Sequence, residues 1–459
     1  MGGENRAGRG RSEAAYPKVR GRLRTLACDG LQPSRHSTEL TDGTTNVPPV
    51  SVAIAREPER RALAAFSSRD FRLLWGGQAI SFTGDAAFTV ALGWRVTDLT
   101  GKAGSLGYVL ALESLAMLTT LLLGGVLADR YSRRRLMIAS DLARAAVVGV
   151  FLAVDATGHL SFGAVLALAA CFGLGMGFFQ PAFGGIIPLV VETPMLASAN
   201  SWLGIARQGS AVIGPAIAAG VYSTAGPSTV WAIETASFLV SAAALWLART
   251  RALAPEAPRG MRYELVEGFR YVASVPWIWT GIVAAGVILM FGMAPFTALL
   301  PRLVRSHYDR GVGSYGLLFS LMSAGMVFGS LVWARWHPQH GRVVVCYAAF
   351  GTGAAGIVLV ALSPWYWLAA CAVVWRGFWI GVGISAWMTL VVELVPERLL
   401  SRVYSLDFFG SSGLTPVGYA LAAALATTIS PTTILAVGGT VAVTLWFIPL
   451  AWRPVRTAA

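Results

Sequence analysis

The sequence predicts an all-α polytopic membrane protein whose twelve transmembrane helices form two pseudo-symmetric six-helix bundles. Composition is the first reason: of 459 residues, 55% are hydrophobic and only 13% charged, where a soluble domain carries about 25% charged residues. The second is that apolar runs long enough to cross hydrocarbon, about 20 residues each, fall into two sets of six. The third is punctuation that recurs half a chain apart. Val190-Val-Glu192-x-Pro194, Asn200-Ser201 and Gly214-Pro215 are echoed by Val391-Val-Glu393-x-x-Pro396, Arg402-Val-Tyr-Ser405 and Pro416-Val-Gly418. Such repeats mark duplicated six-helix units.

In chain order, residues 1–66 are polar, contain Gly, Arg and Pro, and lack a hydrophobic period. They read as a disordered basic cytoplasmic tail without the apolar h-region of a secretory signal. The first bundle occupies 67–248, with spans near 73–97, 104–128, 134–156, 161–188, 197–224 and 229–248. A linker, 249–276, is the long polar segment of the membrane part, and its Glu264 to Val272 stretch reads as an amphipathic helix on the membrane surface. The second bundle, with a short tail, is 277–459, with spans near 277–303, 313–334, 342–362, 365–394, 402–428 and 430–452.

Charge sets the orientation. The net charge is +13, and the arginines fall in the tail and between apolar runs, so they report topology and not a nucleic-acid surface. Arg130 to Arg135, the linker, Arg335/Arg342, Arg398/Arg402 and Arg453/Arg456 place both termini in the cytoplasm. Arg302, Arg305 and Arg310, after the seventh span, run against that rule. Cys28, Cys171, Cys346 and Cys371 have no metal or disulfide spacing. Neither a phosphate-binding Gly-x-x-x-x-Gly-Lys loop nor a nucleophile–base set occurs, so no enzyme, ATP-driven pump, metal or cofactor is expected. A proton gradient is the expected driving force.

Within the spans, each ionisable group costs about 2.5–3.5 kcal/mol at mid-helix on insertion scales, so each needs a partner, water or a task. Asp85 is central in the first span. Gln78, Ser81, Asp85 and Thr89 share one helical face, which should line the central cavity, and Asp85 is the first candidate for proton coupling. Glu113 is the second, with no obvious intrahelical cation; Glu234, nearer a helix end, reads as structural. Asp141 and Arg144, three apart, pair as a gate or fold element. Arg207 and Arg376 are candidate cavity-lining cations, the latter between Trp375 and Trp379 in reach of cation–π contact. Sixteen tryptophans suit either a hydrophobic ligand or interfacial belts.

The loop Gly125-Val-Leu-Ala-Asp129-Arg130-Tyr-Ser-Arg133-Arg134 resembles the signature between helices 2 and 3 of major facilitator superfamily transporters, with Ser132 where a second glycine is usual. Phe71-Arg-Leu-Leu-Trp75-x-x-Gln78-x-Ile-Ser81-x-x-Gly84-Asp85 is similar to the first helix of the drug-efflux branch that includes macrolide and enterobactin exporters. Asp141-Leu-Ala-Arg144, Phe179-x-Pro181-Ala, Glu267-Gly-Phe-Arg270-Tyr-Val and Tyr315-Gly-Leu-Leu add to that likeness. Ser210-x-x-x-Gly214-Pro215-x-x-Ala218-Ala219 resembles the helix-5 motif of antiporters, with small residues replacing three glycines.

The resemblance implies export of a mostly apolar small molecule by proton antiport, as a monomer contacting lipid and no nucleic acid, in the inner membrane of a bacterium. It implies that Asp129, Arg133 and Arg134 belong to a cytoplasmic gate acting against helix 11, with Arg402 and Asp407 as local partners. The alternatives are a siderophore or lysophospholipid transporter, an uptake porter, or a membrane sensor that binds without transporting.

Overall fold

The computed structural model describes residues 63–251, 261–336, 338 and 340–458; the side chains of 129, 261–265 and 401 are also outside the description. The expected basic tail therefore lies outside the described residues except at 63–66, as does linker stretch 252–260.

Six long helices come first: α1 (Arg69–Thr100), α2 (Ser105–Arg130), α3 (Arg133–Ala156), α4 (Phe162–Gly184), α5 (Leu196–Ala225) and α6 (Pro227–Leu247). A linker helix, Met261–Ser274, follows, as the amphipathic pattern predicted. Then come α7 (Pro276–Ser306), α8 (Val312–Trp336), α9 (Arg342–Leu362), α10 (Tyr366–Leu394), α11 (Arg402–Leu425) and α12 (Pro431–Ala451). Among the described residues no strand occurs. Local chemistry starts and stops them. The Ser68 and Ser161 hydroxyls accept from the amides of Phe71 and Ala164 to cap α1 and α4. Gly101 ends α1 at φ 65°.

Ten of these helices are long and apolar enough to cross a membrane. The other two, α1 and α5, are longer than most but carry polar positions, among them Gln78, Asp85, Arg95, Arg207 and Ser210. Their neighbours take up that polarity.

Two spans depart from the continuous helices expected. Between Leu289 and Met293, α7 opens into a π turn, followed by Pro295 in the next α segment. Proline has no N–H and its ring crowds the carbonyl four residues back, so a wider turn accommodates it. α11 breaks after Ser412 and restarts at Thr415, with Pro416 in the first turn. Pro416 has no N–H to give the Ser412 carbonyl four residues back, so the helical ladder lapses there.

Packing gathers α1–α6 into one set and α7–α12 into another, and the sets meet chiefly through α5 against α8 and α2 against α11. At one end a single apolar cluster draws on both sets: Phe88, Trp94 and Trp231 pack with Phe296, Tyr315 and Leu435. A Cβ on Gly316 of α8 would lie 2.5 Å from the Pro215 carbonyl of α5, so the helices touch backbone to backbone. The Trp94 and Tyr315 rings meet at 6.0 Å, and Arg305 of α7 forms an ion pair with Asp98 of α1. At the linker end the apolar residues fall into two clusters. One comes from the first set around Phe71, Leu74 and Met137, the other from the second around Tyr347, Trp387 and Trp446. The sets are joined at one end and part toward the other.

Candidate functional site

Where the sets part, α1 presents Asp85 near mid-membrane, its side chain 31% exposed. Behind it lies a buried charge network. The Arg144 guanidinium of α3 donates to Asp141 at 2.5 Å and reaches Asp85 at 3.6 Å. Three aromatic rings hold that guanidinium in place, Phe238 at 4.3 Å, Phe179 at 4.5 Å and Phe172 at 6.0 Å. Ser241 of α6 donates to the second Asp141 oxygen at 2.7 Å and accepts from Gln78 at 2.8 Å. Every polar atom of Asp141 is thus engaged, as burial demands.

The same network contains Glu234 of α6, whose carboxyl group lies against Gly84 and so beside Asp85. Glu234 is fully buried and accepts from the Ser237 hydroxyl at 3.0 Å. Gly84 makes this approach possible: a Cβ there would collide with the Glu234 carboxyl oxygen and come 2.6 Å from the Ser237 hydroxyl. The site therefore joins two neighbouring carboxyl groups, one of them partly exposed, to a caged arginine.

The sequence-predicted residues are distributed as follows. Asp85, Asp141 and Arg144 come together. Glu113 of α2 is half-buried, within electrostatic reach of Asp85 and of Tyr419 on α11. Thr89 is exposed, its hydroxyl donating to the Asp85 carbonyl at 2.9 Å. Gln78 and Ser81 are 0% and 1% exposed, which corrects the expectation that they line the cavity: α6 covers that part of the face. Arg207 of α5 is exposed, near Asp85, over the rings of Phe82 at 5.2 Å and Phe183 at 5.7 Å.

Arg376 is 4% exposed, which corrects the expectation that it lines the cavity, and its cation–π partner is Phe296 of α7 at 5.2 Å rather than the flanking tryptophans. Trp375 and Trp379 instead meet each other at 5.8 Å, and Trp375 donates to the Thr352 carbonyl. In the helix-5 motif, Ser210 meets the Thr83 hydroxyl at 2.9 Å, and a Cβ on Gly214 would lie 2.8 Å from the Thr83 carbonyl. The small residues let α5 approach α1 closely, and Pro215 faces α8.

In the signature loop, Gly125 has open space beside it and Arg130 is exposed. Arg133 donates to the Gly185 carbonyl at 2.7 Å, and Arg134 donates to the Leu245 and Trp246 carbonyls at the end of α6. The Asp129 side chain lies outside the described residues. Arg402 pairs with Glu267 of the linker helix, and Asp407 accepts from the Trp387 indole at 3.0 Å.

The sequence reads Glu234 as structural and shows neither its place beside Asp85 nor the Arg305–Asp98 pair. Only the adjacency of glycine to aspartate at 84–85 signalled a close approach there.

A sequence profile described as Major Facilitator Superfamily matches residues 74–414. Macrolide efflux protein A of Streptococcus pyogenes is 25% identical over 370 residues, covering 78% of this chain and 89% of that protein. The enterobactin exporter EntS of Escherichia coli is 25% identical over 370 residues, covering 79% and 86%. Among solved structures, an inward-facing bacterial homologue of the iron transporter ferroportin superposes with a TM-score of 0.63 at 14% identity, over 83% of this chain and 97% of that one. An inward-facing, unoccupied bacterial homologue of the lysosomal transporter Spinster gives 0.62 at 14% identity, over 83% and 95%.

Proposed function

Because the chain belongs to the Major Facilitator Superfamily, we propose that this multi-pass membrane transporter exports a mostly apolar small molecule in exchange for protons. Such cargo is a drug, antibiotic or secondary metabolite. The family makes it a transporter and not an enzyme. The observation that carries the antiport reading is the Asp85–Glu234 carboxyl pair beside Arg144, with one face open to the space between the helix sets. With a proton in place, the pair is held together and the space accepts an apolar cargo. When the proton leaves, Asp85 turns to Arg144, and the shift in charge biases the two ways the sets can rock. Glu113, within electrostatic reach of Asp85, is the second candidate for carrying the proton.

The relatives named for macrolide and enterobactin export support the outward direction. In this reading the protein sits in the inner membrane of a bacterium, with both termini and the linker end cytoplasmic, and works as a monomer without a cofactor. The direction is tested with everted membrane vesicles and a fluorescent hydrophobic dye. An exporter accumulates dye when the vesicle lumen is acidified and loses it when a protonophore is added. Accumulation in right-side-out vesicles alone would instead make the chain an uptake porter.

A further inference from the structure

Three arginines set well inside the spans have an acid at hand, but Arg376 does not. Arg144 has Asp85 and Asp141, Arg95 has Asp155, and Arg207 is near Asp85. Arg376 is 4% exposed, and among the described residues no carboxylate lies within ion-pair distance. Its Nη1 reaches the Gly353 carbonyl at 3.3 Å, its Nη2 meets the Met293 sulfur at 3.0 Å, and its Nε has no partner. The Phe296 ring at 5.2 Å covers the face of the guanidinium, but a thioether is a weak acceptor, so the edge formed by Nη2 and Nε lacks a strong one. At 1.5 Å per residue from Tyr366, it lies about 15 Å deep, near the centre of a bilayer.

Its surroundings have the same deficit. The Trp379 indole N–H, one turn along α10, and the Ser320 hydroxyl of α8 are also buried without partners. Ser320 belongs to the same layer, since the Met322 carbonyl of α8 is the atom a Cβ on Gly377 would strike. This layer of the second helix set is rich in donors and short of acceptors. Met293, which occupies the place of an acceptor, is half-buried and ends the π turn of α7. An unbranched, adaptable side chain on irregular backbone is suited to move aside.

From this we infer that Arg376 receives an acidic group, a carboxylate, sulfonate or phosphate, carried by an otherwise apolar cargo. A planar guanidinium fork binds such groups through two parallel hydrogen bonds, and displacing the Met293 sulfur frees Nη2 while Nε is already unengaged. The inference rests on the reading of the chain as a carrier of small organic cargo. It narrows that cargo to amphiphilic acids, held with the acid toward the second helix set and the apolar body toward the cavity.

The test uses purified full-length protein in uncharged detergent and two matched dyes, anilinonaphthalene sulfonate and its uncharged counterpart phenylnaphthylamine. Wild type is compared with Arg376→Lys and Arg376→Met. The sulfonate should bind about tenfold or more weakly to Arg376→Met, as expected for loss of hydrogen bonds to a charged group. Arg376→Lys should restore part of that affinity, and the neutral dye should bind all three alike. In wild type, sulfonate and not neutral dye should raise the unfolding midpoint, which keeps the test open if Arg376→Met does not fold. Equal binding of the sulfonate to wild type and Arg376→Met would overturn the inference, as would equal stabilisation by the two dyes or the same stabilisation by chloride alone. Binding needs no gradient, so the exporter reading can fail separately: a chain that binds sulfonate through Arg376 yet moves neither dye would overturn that reading alone.

Discussion

Glu234 and Arg144 give the site its character, and their substitutions should have different consequences. Glu234→Gln removes one acid of the carboxyl pair and keeps its shape, so the protein should fold while dye transport loses its steep dependence on pH. Transport rates measured across a pH series check this; an unchanged profile would remove Glu234 from coupling. Arg144→Ala strips Asp141 of its buried counter-ion, the kind of change that costs about 3–5 kcal/mol. Thermal unfolding should show a clear drop, with transport lost. The limits of sequence reading are visible at the same residues. Asp85 stood out because a carboxylate in mid-span needs a reason. Glu234, nearer a helix end, looked ordinary, and its packing against Gly84 brings α6 to α1 in a way that no helical period encodes. Gln78 and Ser81 share the Asp85 face, but periodicity cannot say which neighbour covers that face, and α6 does.

Among the elements, α1 and α5 carry the most polar positions and α7 and α11 the irregular backbone. The polar pattern was legible as spans with Asp85 and Arg207 inside them. The π turn and the break at Gly413 were not, although Pro295 and Pro416 held the cause: continuous apolar composition hides what a missing N–H does to the ladder. The contact of α5 with α8 offers the direct test at this scale. Gly316→Val would drive a branched side chain into the Pro215 carbonyl. It should push the joined end apart, so that a cysteine placed there becomes markedly more reactive to a water-soluble thiol reagent. Unchanged reactivity would mean that α8 slides to absorb the methyls and that this contact does not hold the end closed.

For the whole molecule, the single apolar cluster at one end and the paired clusters at the other describe one of two states that rocking halves exchange. Two of the three arginines after the seventh span have partners in the structure. Arg305 pairs with Asp98 across the two sets, and Arg310 lies over Tyr366 at 5.9 Å. The Arg305–Asp98 pair is a fastening between the sets at the joined end. Asp98→Asn should favour parting of that end and slow transport without altering the order of preference among cargoes, as competition between dyes would show.

The central claim is that proton movement through Asp85 drives the cargo, and the most direct measurement is dye transport into proteoliposomes under an imposed pH gradient, wild type against Asp85→Asn. Gradient-driven movement is expected in wild type and its loss in Asp85→Asn, with dye binding retained. Gradient-driven movement at the wild-type rate in Asp85→Asn would contradict that claim and move the proton to another carboxylate.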